Sequence, residues 1–272
     1  MSGKIIFVEG IPGSGKTTRT HDIYKKLKCE GKKVEVYHEC EVNPLDLARY
    51  AILSKREFDL LLEEVGKRKD KEKNERVYKK ITMLSEVIDG RVYLALQDMY
   101  LDEDLKGIGI SLRNRDVYNG NYSFEVFREE HIKRWSHFKR EVYCEDVIYL
   151  FDGILLQSPL FELMGFYELS EKKIVQYINE LLGILNVRDS KLLYTHVNNV
   201  ESVLKNACDK RKGEKEKWEQ GFYKWIENSN YCIKRDYHGF EGMVHFLKER
   251  QCLEMNALPI LNIDVTTYER EE

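Results

Sequence analysis

The chain has 272 residues, 42% of them hydrophobic and 33% charged, with 44 basic against 47 acidic side chains and a formal charge of −3. This mixture supports a real core and excludes a collagen-like or wholly disordered chain, and its balanced charge lacks the footprint of a nucleic-acid binder. No run approaches the roughly 18 apolar residues of a membrane span, no signal-peptide pattern opens the chain, and the six cysteines form no C-x-x-C pair. The expectation is a soluble, cytoplasmic protein with reduced thiols and neither membrane nor nucleic acid as partner.

Residues 4–8 (KIIFV) form a short β-branched and aromatic run, the pattern of a buried strand. Gly10, Ile11, Pro12, Gly13, Ser14, Gly15, Lys16 and Thr17 follow, and they satisfy G-x-x-x-x-G-K-[ST], the phosphate-binding loop. In that loop glycines turn the backbone so that its N–H groups point inward as an anion nest. The helix that starts near Lys16 adds its free N–H groups and the positive end of its dipole. The motif assigns Lys16 to the β/γ-phosphates of ATP and the Thr17 hydroxyl to magnesium. Residues 17–29 read as that helix, with Gly31 as its stop.

Residues 34–38 alternate as a second strand and lead into an acidic cluster, Glu39-Cys40-Glu41. Phe58, Leu61, Leu62 and Val65, then Val77, Ile81, Leu84 and Ile88, follow helical spacing and predict a helical hairpin. The mixed-sign run 67–76 between them reads as solvated. Residues 107–123 carry turn signals and read as a loop. From 124 to 142, Phe124, Phe127, His131, Trp135, Phe138 and Val142 step by three or four residues along one helix face. His131 interrupts that face, with Arg128 and Arg134 three residues to either side. A core histidine with two surface arginines is the simpler account of this pattern, and an acceptor pocket with an anion-binding rim is the functional alternative.

Residues 147–151 (VIYLF) form an unbroken apolar run, suited to a strand buried on both faces, and it ends in Asp152. An apolar strand followed by an acid is the Walker B pattern and makes Asp152 the second magnesium partner. Residues 174–185 read as a helix, 191–196 as a strand, 201–211 and 240–250 as helices, and 258–263 as a last strand. Alternating strands and helices predict one α/β domain over residues 1–272 with a doubly wound parallel sheet, a helical insertion at about 55–145 and a lid at about 199–217. The ligand belongs at the carboxyl ends of the strands, where the loop, Glu39, Glu41 and Asp152 all fall.

Residues 7–18 (FVEGIPGSGKTT) resemble the opening of thymidylate kinases and deoxynucleoside kinases, including a glutamate, here Glu9, just before the loop. The resemblance implies a P-loop NTPase sheet of five parallel strands ordered 2-3-1-4-5. It also implies a lid that supplies an arginine, for which Arg211 is the candidate, and an acid after strand two, Glu39 or Glu41, acting as base on a substrate hydroxyl. The chain departs from those families in two places. It lacks the arginine element after strand two, and it reads Asp152-Gly153 where thymidylate kinases carry Asp-Arg. The activity expected is ATP- and magnesium-dependent phosphoryl transfer to a small acceptor. In that scheme the loop and Thr18 hold ATP, Thr17 and Asp152 hold magnesium, and Arg211 closes on the γ-phosphate. Asp152 is an alternative base, Arg128, His131 and Arg134 line the acceptor, and a homodimer is compatible. The alternative is a P-loop ATPase or nucleotide-binding regulator with no phosphorylated acceptor.

Overall fold

A computed structural model of the chain describes residues 5–39, 41–67, 70–186, 189–210 and 215–270, with backbone alone at 210 and 215–218. In chain order it begins with β1 (Ile5–Gly10), α1 (Lys16–Cys29) and β2 (Lys33–Tyr37). There follow β3 (Tyr50–Ser54), α2 (Lys55–Gly66), α3 (Lys71–Met83), β4 (Ser85–Ile88), β5 (Arg91–Ala95), α4 (Leu96–Leu101), α5 (Lys106–Ser111) and α6 (Phe124–His137). The chain ends with β6 (Val147–Asp152), α7 (Gln157–Gly165), α8 (Glu171–Leu185), β7 (Lys191–His196), α9 (Val200–Lys210), α10 (Lys215–Asn228), α11 (Asn230–Ile233), α12 (Gly239–Ala257) and β8 (Asp264–Glu269). It divides into two compact units, Met1–Glu39 with Phe138–Glu272, and Cys40–His137.

The first unit is built on five parallel strands ordered β2-β6-β1-β7-β8. Counted within this sheet they run 2-3-1-4-5, the order the resemblance implies. β1 and β6 lie side by side near its middle and are buried along most of their length, which is why both read as apolar runs rather than alternating ones. Phe7 stacks on Phe151 with ring centroids 5.5 Å apart, and Tyr37 stacks on the other side of Phe151 at 5.3 Å. Burying the Phe7 and Phe151 rings, both fully buried, contributes about 1.5–3 kcal/mol each. The register of β1 on β6 pairs Val8 with Asp152, and Gly153 N–H donates to the Val8 carbonyl at 3.0 Å. The carboxyl ends of the two central strands are therefore level. The last strand differs from expectation: residues 258–260 form a 3-10 turn with Pro259 in its first positions, and the strand is Asp264–Glu269. As an edge strand with mostly exposed or half-exposed side chains, it carries Thr266 and Thr267 rather than an apolar run.

The second unit pairs the α2–α3 hairpin with an antiparallel sheet ordered β3-β5-β4. A capping box at Ser54 and Glu57 starts α2, and the Asp70 carboxylate caps α3. The hairpin is as expected, but its second helix ends at Met83. Leu84 is its C-cap and Ile88 sits on β4. The turn from β4 to β5 is Asp89-Gly90, with φ of 46° and 80°. This Asp-Gly pair is the favoured two-residue hairpin turn, since both central residues need positive φ. Residues 107–111, the start of the stretch expected as loop, belong to α5. Among the described residues no helix is long and apolar enough to cross a membrane, and Cys29, Cys144, Cys232 and Cys252 are free thiols.

Candidate functional site

The site of the first unit lies at the carboxyl ends of β1 and β6. Between β1 and α1, residues 11–15 fold into the loop that the motif specifies. Gly13 has φ +83°, and a Cβ there would lie 3.0 Å from Ala207 Cβ and 3.1 Å from Val203 Cγ1 of α9. Only glycine allows the loop to turn left-handed and pack this closely on α9. Gly15 closes the loop as the N-cap of α1 and offers no capping side chain. The first-turn N–H groups of α1 thus remain available to an anion.

Lys16 is buried and folds back over the loop, where its Nζ donates to the Ile11 carbonyl at 3.1 Å. The Thr17 hydroxyl donates to Asp152 Oδ2 at 2.7 Å. His38, at the end of β2, brings its Nδ1 within 3.2 Å of the same oxygen. Asp152 Oδ1 is buried without a hydrogen-bond partner among the described residues, as are Ser14 Oγ and Glu39 Oε2. A Cβ added at Gly153 would lie 2.9 Å from Glu39 Oε2, 3.3 Å from Gln157 Nε2 and 3.5 Å from Lys16 Cε. Glu39, Gln157 and Lys16 therefore converge around Gly153, next to Asp152. These unpartnered oxygens are what a cation and its water shell would satisfy.

Glu9 plays a different part. It is fully buried, and its carboxyl oxygens accept the backbone N–H groups of Leu155 at 2.7 Å and Gln157 at 3.0 Å. Burial pushes its pKa up to about 8, against the lowering pull of those two N–H groups. Glu9 thus ties the end of β1 to the turn after β6 and sets the floor of the site.

Beside the loop, a cavity of about 630 Å³ is lined by residues including Ser14, Gly15, Arg19, Thr195 and Arg270. The Arg270 guanidinium reaches the Gly13 carbonyl, and Arg19 lies 3.8 Å over the Tyr268 ring. A second cavity of about 620 Å³ runs between α1 and β2, lined by Thr17, Thr18, His21, Tyr24, Val34, Val36 and His38.

The expected site residues thus fall into three sets. Lys16, Thr17, Glu39 and Asp152 come together in the first unit. Glu41, Arg128, His131 and Arg134 belong to the second. Arg211 lies outside the described residues. Glu41 is exposed. Arg134, read from sequence as a surface group, is 1% exposed. It donates to Glu86 at 3.0 Å and to the Asn43 carbonyl, and its guanidinium lies 4.5 Å over the Tyr50 ring. His131 is buried as well, with Nδ1 3.0 Å from the Phe127 carbonyl, and burial lowers its pKa to about 3. It is a neutral imidazole at any physiological pH. His38, Gln157, Thr195 and Arg270 were not expected at the site. His38 reaches Asp152, 114 residues away, Gln157 N–H reaches Glu9, 148 away, and Arg270 reaches the Gly13 carbonyl, 257 away, so no local pattern marks them.

Sheet order and loop together are those of the P-loop NTPase fold. Compared with known families, the chain is similar to the NB-ARC domain, a family of nucleotide-binding P-loop ATPases, whose model matches residues 1–119. That span holds β1, the loop, α1, β2 and most of the second unit, and it stops before Asp152. The match supports the P-loop NTPase part of the resemblance carried by residues 7–18 and does not support its thymidylate kinase-like branch specifically. No curated protein matches the chain.

Proposed function

We propose that the chain is a magnesium-dependent ATPase that uses its nucleotide as a switch, without phosphorylating an acceptor. The observation that carries this reading is the 2.7 Å hydrogen bond from Thr17 to Asp152 beside Lys16. By giving its proton to Asp152, the Thr17 hydroxyl keeps an oxygen lone pair free for a metal ion. Asp152 Oδ1 is a second, unspent acceptor at the same place. Lys16, released from the Ile11 carbonyl, supplies a positive charge to the β/γ-phosphates, and the first turn of α1 supplies N–H donors. Bound magnesium would neutralise charge developing on the transferred phosphoryl oxygens. The Glu39 carboxylate serves to orient a water, and the cavity lined by Arg19, Thr195 and Arg270 has room for the nucleoside half. Similarity to the NB-ARC domain supports an ATPase over a transferase.

One observation favours the kinase reading as a second possibility. Glu39 Oε2 is buried, unpartnered and close to Gly153 and Lys16, so it would accept a proton from a substrate hydroxyl as readily as from water. Labelled-γ-phosphate ATP incubated with the protein and a panel of nucleosides, nucleotides, sugars and aminoglycoside-like acceptors separates the two. Release of inorganic phosphate alone is expected, and a labelled acceptor overturns the switch reading. Lys16→Ala should weaken magnesium-ATP binding by at least a hundredfold in calorimetry. Unchanged binding in that variant removes the basis of both readings.

A further inference from the structure

Asp152 is held from two sides. Thr17 Oγ1 and His38 Nδ1 both reach Oδ2, at 2.7 and 3.2 Å, while Oδ1 is buried without a partner. Thr17 belongs to the phosphate-loop motif. His38 belongs to nothing so far assigned: it sits one residue beyond β2, the strand that pairs with β6 on the side away from β1. A carboxylate held through one hydrogen bond can still turn about its side-chain torsions. Two donors arriving on one oxygen from different elements fix the plane of the group. Asp152 is 1% exposed, so bulk water does little of this work.

We propose that His38 is a positioning residue of the magnesium site, an inference that rests on the magnesium-nucleotide reading above. By holding Oδ2, His38 keeps that oxygen in place as acceptor of the Thr17 proton and keeps Oδ1 turned away as the oxygen left for the metal or its water. The role requires Nδ1 to carry hydrogen. Groups that orient a metal-binding carboxylate in this way typically control metal affinity by about tenfold to a hundredfold. His38 is itself about one-third exposed and lines the cavity between α1 and β2, so replacing it removes little core packing.

The test is the magnesium response of ADP binding in the full chain. ADP affinity is measured by calorimetry in EDTA and in millimolar magnesium for the wild type, His38→Ala, His38→Asn and His38→Gln. Asparagine carries its N–H₂ group where histidine carries Nδ1, whereas glutamine places it one bond further out. Affinity in EDTA should agree within twofold across all four proteins. The tightening produced by magnesium should fall about tenfold in His38→Ala, return to within threefold of wild type in His38→Asn, and stay low in His38→Gln. A purely structural role would not follow the position of the N–H group. A wild-type magnesium response in His38→Ala overturns the proposal, as does a response in His38→Asn no better than in His38→Gln. The latter comparison decides the matter if the alanine variant fails to fold. If the wild type itself binds ADP without any magnesium response, the assignment of Thr17 and Asp152 fails and that of His38 falls with it, an outcome distinct from loss of the response in His38→Ala alone.

Discussion

Glu9 makes stability depend on pH in a direction opposite to most carboxylates. Its folded-state pKa is raised to about 8, while the unfolded value is 4.5. Between those values the unfolded chain loses the proton and the folded chain keeps it, so unfolding releases a proton and stability falls as pH rises. The contribution is fully present below about pH 4.5 and is lost progressively as pH climbs to 8. Over the window from pH 5 to 8 the loss amounts to roughly 3–4 kcal/mol, at about 1.4 kcal/mol for each pKa unit. In a chain of this size that corresponds to about 7–14 °C in melting temperature. Glu9→Gln removes the titration but places an amide N–H₂ where an oxygen accepts from Leu155 or Gln157, at a cost of about 1–3 kcal/mol. The variant should therefore melt below the wild type at pH 5, and the gap should close or reverse by pH 8. Melting curves of both proteins at four pH values supply the test. Taking the difference between the two cancels other titrations, including Asp116, whose pKa burial raises to about 7. A difference that stays flat from pH 5 to 8 would show that Glu9 is ionised throughout in the folded protein, and the account of the floor of the site would be wrong.

Two further substitutions probe the loop and the second unit. Gly13→Ala forces a side chain into φ +83° and against Val203 and Ala207. The backbone strain alone is about 1–2 kcal/mol, and ADP affinity should fall at least tenfold by calorimetry; an unchanged value would refute the close packing of the loop on α9. Arg134→Ala leaves the Asn43 carbonyl without its donor and, because the stranded Glu86 is 41% exposed and can be solvated, should cost about 1–3 kcal/mol, the penalty for a buried acceptor left unsatisfied. Hydrogen exchange across residues 40–137 should rise sharply while magnesium-ADP affinity holds, and Arg134→Lys should not rescue it, because one ammonium cannot serve both partners at once.

What could be read from the sequence depended on the range of the signal. The phosphate loop was legible because its chemistry is local: glycines, a lysine and a hydroxyl within eight residues must make the nest themselves. The strand 147–152 was legible because burial on both faces leaves no polar position to blur the run. β4 was hidden by interference between periods. Val77, Ile81, Leu84 and Ile88 keep helical spacing across a helix, its cap and a strand, because over so few residues steps of four and two land on the same positions. The signal that would have broken the tie, Asp89-Gly90, is a turn signature rather than a periodicity. β8 escaped because an edge strand needs only half a hydrophobic face.

Arg134 and His131 show a subtler limit. An arginine spaced three residues from a histidine gives no indication of whether it points at solvent or at a buried carbonyl, and here the carbonyl of Asn43, 91 residues away in sequence, decides it. The same holds at the site. Lys16 and Thr17 could be assigned from their own neighbours. The orientation of Asp152 is set jointly by Thr17, 135 residues away, and His38, 114 residues away. The sheet order brings these three together, because β6 stands between β2 and β1 and so receives a donor from each side.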